Sequence, residues 1–266
     1  MPVRICKTLF VCAATIVSGV CYCQTPDSVR FNKIILTKDF ISEGIAIGDV
    51  NRDGKTDVLA GTYWFDAPAW KKHEIDSGRV YFQDNVYSHS FLNYSMDVNL
   101  DGWTEQLVID FPGTTAIWYE NNHNKKRYWI KHLIYETVGN ESPAFVDVDG
   151  RTDLLCADSK ELQMIWFRAP LIKGATAWQK YTISEKNAPG TEIFSHGPGL
   201  SDLNKDGRAD VIIREGWWEC PEDRTKPDWT FHKADLGDEC SQMYVMDVNN
   251  DGNMDVISAS AHLSGV

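Results

Sequence analysis

The sequence of 266 residues predicts an all-β chain, and three observations lead to this expectation. Short apolar runs alternate with turn residues, and no stretch sustains the 3.6-residue period of a helix. A loop rich in aspartate recurs five times, and an aromatic strand pattern follows most copies. The first aspartates of successive copies are 48, 50, 55 and 45 residues apart. Spacings of this size are typical of propeller blades of about four strands, so we predict a β-propeller.

Each repeat combines the loop with strands on either side. In the first repeat, residues 45–47 form the strand that enters the loop and residues 58–60 the strand that leaves it. An aromatic edge, residues 63–65, follows, and residues 70–75 supply the next strand. These runs alternate apolar and polar residues between turns, as half-buried strands do. The five loops span residues 49–57, 97–105, 147–153, 202–210 and 247–255.

The number of blades follows from counting these repeats. Residues 24–266 contain five recognisable blades, and residues 31–36 resemble an isolated outer strand. The five units either close on themselves, with residues 31–36 completing the fifth blade, or form part of a larger, truncated propeller. We favour the truncated propeller, because the aromatic edge expected after the fifth loop is missing.

The first 23 residues have the pattern of a signal peptide. Arg4 and Lys7 supply positive charge, and residues 9–20 form an apolar run too short to span a bilayer. We expect cleavage after Cys23, with a lipid anchor on Cys21 as the alternative. No later segment resembles a membrane helix. The expected location is therefore secreted, periplasmic or at the cell surface.

Charge and cysteine content narrow the classes of function. The formal net charge is −12, and no basic face is evident, which argues against nucleic acid as a partner. Cleavage leaves three cysteines, Cys156, Cys220 and Cys240, without metal-ligand spacing. One pair forms a disulfide, or all three are buried thiols that act as small apolar residues.

The repeated loop reads D-x-N-x-D-G-x-x-[DE] and has the chemistry of a calcium site. Calcium takes six to eight oxygen ligands, and oxygens at positions 1, 3 and 5 wrap around one centre when glycine at position 6 permits a sharp turn. A carboxylate at position 9 is expected to complete the site. Turns rich in aspartate also form without metal, but four copies with fixed spacing favour calcium. Three carboxylates packed together without a cation would repel one another.

Four loops carry this full pattern, so up to four calcium ions are expected. The third loop is two residues short around Asp147, Asp149 and Asp153, and we expect weak or absent metal there. The predicted ligands are Asp49, Asn51, Asp53 and Asp57; Asp97, Asn99, Asp101 and Glu105; Asp202, Asn204, Asp206 and Asp210; and Asp247, Asn249, Asp251 and Asp255.

The repeat resembles the FG-GAP/VCBS family, the calcium-loop blade unit of integrin α-subunit propellers and of many secreted bacterial proteins. The resemblance implies a propeller, often of seven blades, with calcium between the first two strands of a blade. Five units therefore suggest an incomplete seven-bladed propeller. A weaker resemblance, on residues 64–68 and 216–221, is to the propeller domains of secreted aldos-2-ulose dehydratases. It implies sugar chemistry, although the accompanying cupin domains are absent from this sequence.

A second group of residues lies at or near the starts of the strands that enter the loops. In a propeller these starts lie at the rim of the central channel, opposite the loops. We expect these residues to converge and name them as catalytic or metal-binding candidates, since carboxylates and imidazoles suit acid–base work or a second divalent metal. Trp64 and Trp217 are candidates for sugar stacking, although tryptophans of this kind mostly pack in the core. The rim candidates are Glu43, His89, Glu141, His196 and His262.

These features lead to one favoured function and one alternative. The favoured function is an exported calcium-binding propeller that binds a carbohydrate or an extracellular protein. The alternative is a metal-assisted sugar dehydratase or polysaccharide lyase, a carbon–oxygen lyase that uses the cluster of histidine and glutamate at the channel.

Overall fold

The computed structural model describes residues 30–81, 87–227, 229–238 and 240–261, and each helix or strand assigned in these ranges is a β-strand. The all-β prediction is confirmed. The expected signal peptide, residues 1–23, lies outside the described residues, as does His262. Residues 36–266 form one compact unit, to which all the assigned strands belong. The described residues include no helix of the length and apolar character that crossing a membrane requires.

The described part of the chain contains eighteen strands, which pair antiparallel. In chain order they are β1 (Ala46–Gly48), β2 (Asp57–Ala60), β3 (Tyr63–Asp66), β4 (Lys71–Glu74), β5 (Leu92–Met96), β6 (Glu105–Ile109), β7 (Thr114–Glu120), β8 (Ile130–Val138), β9 (Ala144–Asp147), β10 (Thr152–Asp158), β11 (Gln163–Arg168), β12 (Gln179–Thr182), β13 (Gly199–Ser201), β14 (Asp210–Ile213), β15 (Gly216–Glu219), β16 (Thr230–Lys233), β17 (Cys240–Met246) and β18 (Asp255–Ser260).

The strands follow the sequence repeat, with four strands in each of the first four units and two described strands in the fifth. Strands β1 to β4 form one four-stranded meander, and β13 to β16 form another. Strands β5 to β8 and β9 to β12 form two more, which join through the single pair Val138 and Asp158. Strands β17 and β18 pair alone among the described residues. The aromatic run, which the sequence suggested as an edge, is a complete third strand in each of the four-stranded units.

Residues 31–36 do not form the predicted outer strand. The structure assigns no strand to these residues, and the side chain of Phe31 is 91% exposed. An alternating pattern becomes a strand only when a neighbouring strand supplies ladder hydrogen bonds and a face to cover the apolar residues. The expectation that this segment completes a blade therefore finds no support in the described structure.

The hydrophobic core lies in layers between consecutive sheets. Leu59 and Trp64 of the first sheet pack with Val108 of the second, and comparable layers follow along the chain. Burying such side chains stabilises the fold by about 1.5–3 kcal/mol each. The layers also explain the cysteines, since Cys156, Cys220 and Cys240 are buried free thiols.

The first strands of neighbouring sheets lie side by side. The Ser95 hydroxyl on β5 donates to the Ile47 carbonyl on β1 at 2.6 Å. Just before β1, a Cβ on Gly44 would lie only 2.8 Å from the carbonyl oxygen of Phe91, so glycine permits the close approach of the two backbones. Gly197, just before β13, has the same relation to the carbonyl oxygen of Ser241 on β17. The repeated glycine therefore allows successive sheets to pack closely at their inner edge.

An ion pair between a buried carboxylate and a partly exposed lysine forms where the second and third meanders join. Asp158 is fully buried and accepts hydrogen bonds from Lys180 at 2.7 Å, Tyr135 at 2.5 Å and Thr137 at 3.0 Å. Burial opposes ionisation of this carboxyl, but the Lys180 and Tyr135 hydrogen bonds outweigh it and lower the pKa of Asp158 to about 2. Asp158 is therefore charged, and Lys180 is its cation.

We predict that Lys180→Met destabilises the protein by about 3 kcal/mol, because it leaves a buried carboxylate without its cation. Chemical denaturation at pH 7 measures the change. The matched control is Lys186→Met, which removes an exposed ion pair with Glu161 and should leave the midpoint almost unchanged. Equal effects of the two substitutions would contradict the assignment.

Candidate metal-binding loops

The loops that match the full pattern share one conformation. In the first loop, Asp49 Oδ1 accepts the backbone N–H of Asp53 at 3.0 Å, and Asp49 Oδ2 accepts that of Gly54 at 2.9 Å. The second, fourth and fifth loops repeat both bonds. The first-position aspartate therefore gathers each loop around its own carboxylate.

Two residues of each loop adopt left-handed backbone conformations. The glycine at position 6 does so as the sequence suggested, with φ of +82° at Gly54. The residue at position 4 also does so, for example Arg52 with φ of +63°. Because varied side chains occupy position 4, the sequence offered no signal for this second left-handed residue.

The second loop brings three carboxylates together. Ligand oxygens of Asp97, Asp101 and Glu105 all lie within 4.8 Å of one another, and this is the one such acidic or histidine group among the described residues. Glu105 is fully buried, and its Oε2 accepts the Val98 N–H at 2.8 Å. Its Oε1 is also buried, and the backbone N–H of Asn121 approaches the carboxyl without ordinary hydrogen-bond geometry. Three clustered carboxylates offer the oxygen ligands that a hard metal ion prefers, so the residues present fit such an ion.

The electrostatics of Glu105 point the same way. Burial raises the pKa of the Glu105 carboxyl to about 8, and the charges of Asp101 and Asp97 add to the rise. A buried carboxylate next to two others is costly without a positive charge. A bound divalent ion would supply that charge and keep Glu105 ionised at neutral pH.

The ninth-position carboxylate has a second role that sequence reasoning missed. Asp57 is fully buried, and its two oxygens accept the N–H groups of Val50 at 3.0 Å and Ala67 at 2.8 Å. Asp210 makes the same bonds with Leu203 and Cys220, both at 2.9 Å. These carboxylates tie the loop to the end of the third strand. Any metal ligation at position 9 must therefore share oxygens that already hold the fold together.

Each complete meander also pairs an aromatic ring with a neighbour on its fourth strand. Trp64 stacks on His73 with ring centroids 4.3 Å apart, and the second and fourth meanders repeat the stack with histidine. A carboxylate two residues after the tryptophan approaches the imidazole, as Glu219 does at 2.7 Å from His232. The same Glu219 accepts the side-chain amide of Asn204, the third residue of the loop, at 3.2 Å. A continuous polar network therefore joins the loop to the outer strand.

The third meander replaces this network as a set. Its shortened loop lacks the asparagine, Arg168 stands where the other units have a carboxylate, and Tyr181 replaces the histidine. The Arg168 guanidinium donates to Asp149 and to the Tyr181 hydroxyl at 3.0 Å, and it lies over the ring of Trp166. A side-chain cation therefore neutralises the third loop, which accounts physically for the expectation of weak or absent metal there.

The rim candidates lie in two separate groups in the described structure. Glu43 accepts hydrogen bonds from Ser88, the residue before His89. Glu141 lies 3.7 Å from His196, whose side chain is only 7% exposed, and both line a different cleft from His89. The expected convergence into one cluster is not seen among these residues.

The stacking candidates already have partners. Trp64 is only 7% exposed, because His73 covers one face and the core the other. Trp217 stacks on His232 at 4.2 Å. Neither ring offers an open face of the size that a sugar requires, in line with the structural role that such tryptophans usually have.

Comparison with known proteins identifies one repeat type. Residues 43–82, which include the first loop and the first sheet, match the model of the FG-GAP repeat. No curated protein matches the chain. Among solved structures, the crystal structure of the V. cholerae biofilm matrix protein Bap1 is similar, with 16% identity and a TM-score of 0.42 over 83% of this chain. The match covers 35% of the Bap1 chain, so this chain spans about a third of that protein's length.

We predict that Arg168→Met destabilises the protein by about 3 kcal/mol and that added calcium does not restore the loss, because the removed cation is covalent. Thermal denaturation with and without calcium measures both effects. The matched control is Lys55→Met, which removes the cation that pairs with Asp53 in a full-length loop. Calcium should compensate for that change, and rescue of Arg168→Met by calcium would contradict the interpretation.

A second prediction concerns pH in the absence of metal. The pKa of Glu105 is raised in the folded state, so its stabilising contribution is present below about pH 4.5 and is lost as the pH rises through about 8. In chelator, the melting temperature of the wild type should therefore fall over this range more than that of Glu105→Gln. Calcium should remove the difference in slope, and parallel pH profiles in chelator would refute the assignment.

Proposed function

We propose that this chain is a calcium-stabilised β-propeller domain that acts outside the cytoplasm as a ligand-binding module. The observation that carries the calcium assignment is the gathering of Asp97, Asp101 and the buried Glu105, whose ligand oxygens lie within 4.8 Å of one another. Carboxylates this close repel one another, and a divalent ion would compensate their charge. The match to the FG-GAP repeat supports the same assignment for the first loop.

The arrangement of the sheets supports the propeller. Consecutive four-stranded antiparallel meanders pack their first strands side by side, with apolar layers between the sheets. Repeated sheets of this kind are the building units of propellers. The number of blades in the complete fold, which we expect to be seven, is part of the proposal.

A binding role is favoured over the alternative of a metal-assisted lyase. That alternative required histidines and glutamates to gather around a second metal. His89 lines one cleft and Glu141 and His196 line another, and His89 and His196 do not share a carboxylate cluster among the described residues. Carbohydrate or extracellular protein remains the proposed class of ligand, and export through the predicted signal peptide remains the proposed route.

We predict that calcium raises the stability of the mature chain and that a chelator lowers it. Each site filled at a hundredfold excess over its dissociation constant adds about 2.7 kcal/mol. Isothermal titration calorimetry should count up to four ions and one fewer in Asp97→Asn. The matched control is Asp147→Asn in the third loop, which should leave the ion count unchanged. A melting temperature insensitive to both calcium and chelator would refute the proposal.

A further inference from the structure

A small polar cleft lies between the first two sheets, at the strand ends away from the loops. Its volume is about 300 Å³, enough for one sugar ring. The turn after β2 contributes Thr62 to its lining, and the residue after β6 contributes Asp110. The Thr62 hydroxyl is buried without a hydrogen-bond partner, so the wall of the cleft holds an unsatisfied polar atom.

An aspartate–histidine pair forms one side of this cleft. His89 Nδ1 donates to Asp110 Oδ2 at 2.8 Å, and the backbone N–H of Phe111 donates to Asp110 Oδ1 at 2.6 Å. These bonds fix the carboxylate and orient the imidazole, whose side chain is 61% exposed. With Nδ1 engaged, the Nε2 of His89 is left to bind a hydroxyl group.

Positive charge forms the other part of the lining. Arg79 and Lys131 are exposed at the cleft, and neither makes an ion pair with a carboxylate among the described residues. Asp76, which also lines the cleft, accepts the Tyr119 hydroxyl at 3.2 Å instead. Lys131 Nζ lies 6.0 Å from the centroid of the Tyr119 ring, but neither cation has a carboxylate partner in the part of the chain that the structure describes. Cations that lack an ion pair, beside carboxylates that already accept hydrogen bonds, favour a ligand with an acidic group.

Four aromatic side chains form what we call the rim aromatic cluster, which extends from the residue after Asp110 to the neighbouring cleft that Phe194 lines: Tyr87, Phe91, Phe111 and Phe194. Ring centroids are 4.7 Å apart for Tyr87 and Phe111 and 5.9 Å apart for Phe111 and Phe194. Tyr87 is 60% exposed and Phe194 50% exposed. Phe111 directly follows Asp110, so the cluster continues from the polar cleft. A grouped set of exposed rings marks a binding surface rather than a core.

We propose that the cleft and the rim aromatic cluster together bind an acidic carbohydrate of the uronic-acid class. This inference rests on the proposed function as a ligand-binding module and identifies the site and ligand class. Arg79 and Lys131 bind the ligand carboxylate. Asp76, Asp110 and His89 Nε2 accept hydrogen bonds from ring hydroxyls, and the Thr62 hydroxyl donates or accepts one. An adjacent sugar ring stacks on the cluster. A neutral sugar leaves the cations unused, and an acidic peptide lacks the hydroxyl groups that the carboxylates recognise.

Titration of the mature, calcium-loaded chain with trigalacturonic acid tests the proposal, with maltotriose as the neutral probe and hexaglutamate as the acidic peptide. Calorimetry should show binding of trigalacturonic acid and at least tenfold weaker binding of the other two. Charge-assisted hydrogen bonds predict a loss of about tenfold or more in Arg79→Gln and Lys131→Gln. Phe111→Ala should weaken binding to a similar degree.

Two controls separate this site from the remainder of the molecule. Lys125→Gln and Arg127→Gln remove exposed positive charge near the first loop and should leave binding unchanged. Melting curves with and without calcium on the same samples test the proposed function independently. Equal affinity in Arg79→Gln and wild type would overturn the site, as would equal binding of hexaglutamate, which would favour a protein partner. If calcium stabilises the chain while no acidic sugar binds, the ligand class is wrong and the calcium-stabilised fold stands.

Discussion

The structure depends on one repeated interaction, the buried carboxylate that ends each loop. In the first four units this residue is fully buried, and at least one of its oxygens accepts a backbone N–H group at the start of the loop or beyond the third strand. The carboxylates are Asp57, Glu105, Asp153 and Asp210. An acid in this place joins the start of the loop to the residue after the third strand, as Asp57 and Asp210 show. Burial raises the pKa of all four carboxyls, so a cation beside the loop would favour their ionised form.

A different basic side chain lies against a loop carboxylate in each of the first three units. In the first loop, Lys55 lies against Asp53, and in the second His123 lies 2.7 Å from Asp101. In the third, Arg168 pairs with Asp149. The Lys55–Asp53 pair is exposed and contributes little stability, whereas Arg168 is largely buried. The opposite ends of the strands carry a different chemistry, with exposed aromatic rings and cations that have no ion-pair partner among the described residues. Under the proposed function, one end of the sheets would hold ions and the other would contact a ligand.

The sequence was most informative where spacing alone carried the information. Five loops at regular intervals predicted repeated antiparallel units, and the left-handed glycine at position 6, such as Gly54, follows from the turn that the pattern requires. The second role of Asp57 at position 9 could not be predicted, because the N–H of Ala67 that it binds follows the third strand and its distance cannot be read from the loop sequence. The strand expected at residues 31–36 failed for a related reason, since alternation does not specify a partner.

Other features left a signal that was visible only by comparing repeats. The stack of Trp64 on His73 and the acid two residues after the tryptophan recur at fixed spacing, and the third unit changes all of these positions together. Positions that change together in one repeat are expected to hold side chains that contact each other. The polar cleft beside His89 could not be found in this way, because its lining comes from turns that differ between units.

The positive charge beside the third loop belongs to a side chain of the protein, Arg168, and this affects how the chain folds. Arg168 travels with the polypeptide, so the third unit neutralises its loop during synthesis, before any ion arrives. The units on either side must wait for metal from the surroundings. If the other loops bind calcium as we propose, a chain in a calcium-poor medium would contain one sheet that forms without metal beside sheets that need it. That sheet would then be the nucleus on which its neighbours order once the ion concentration rises.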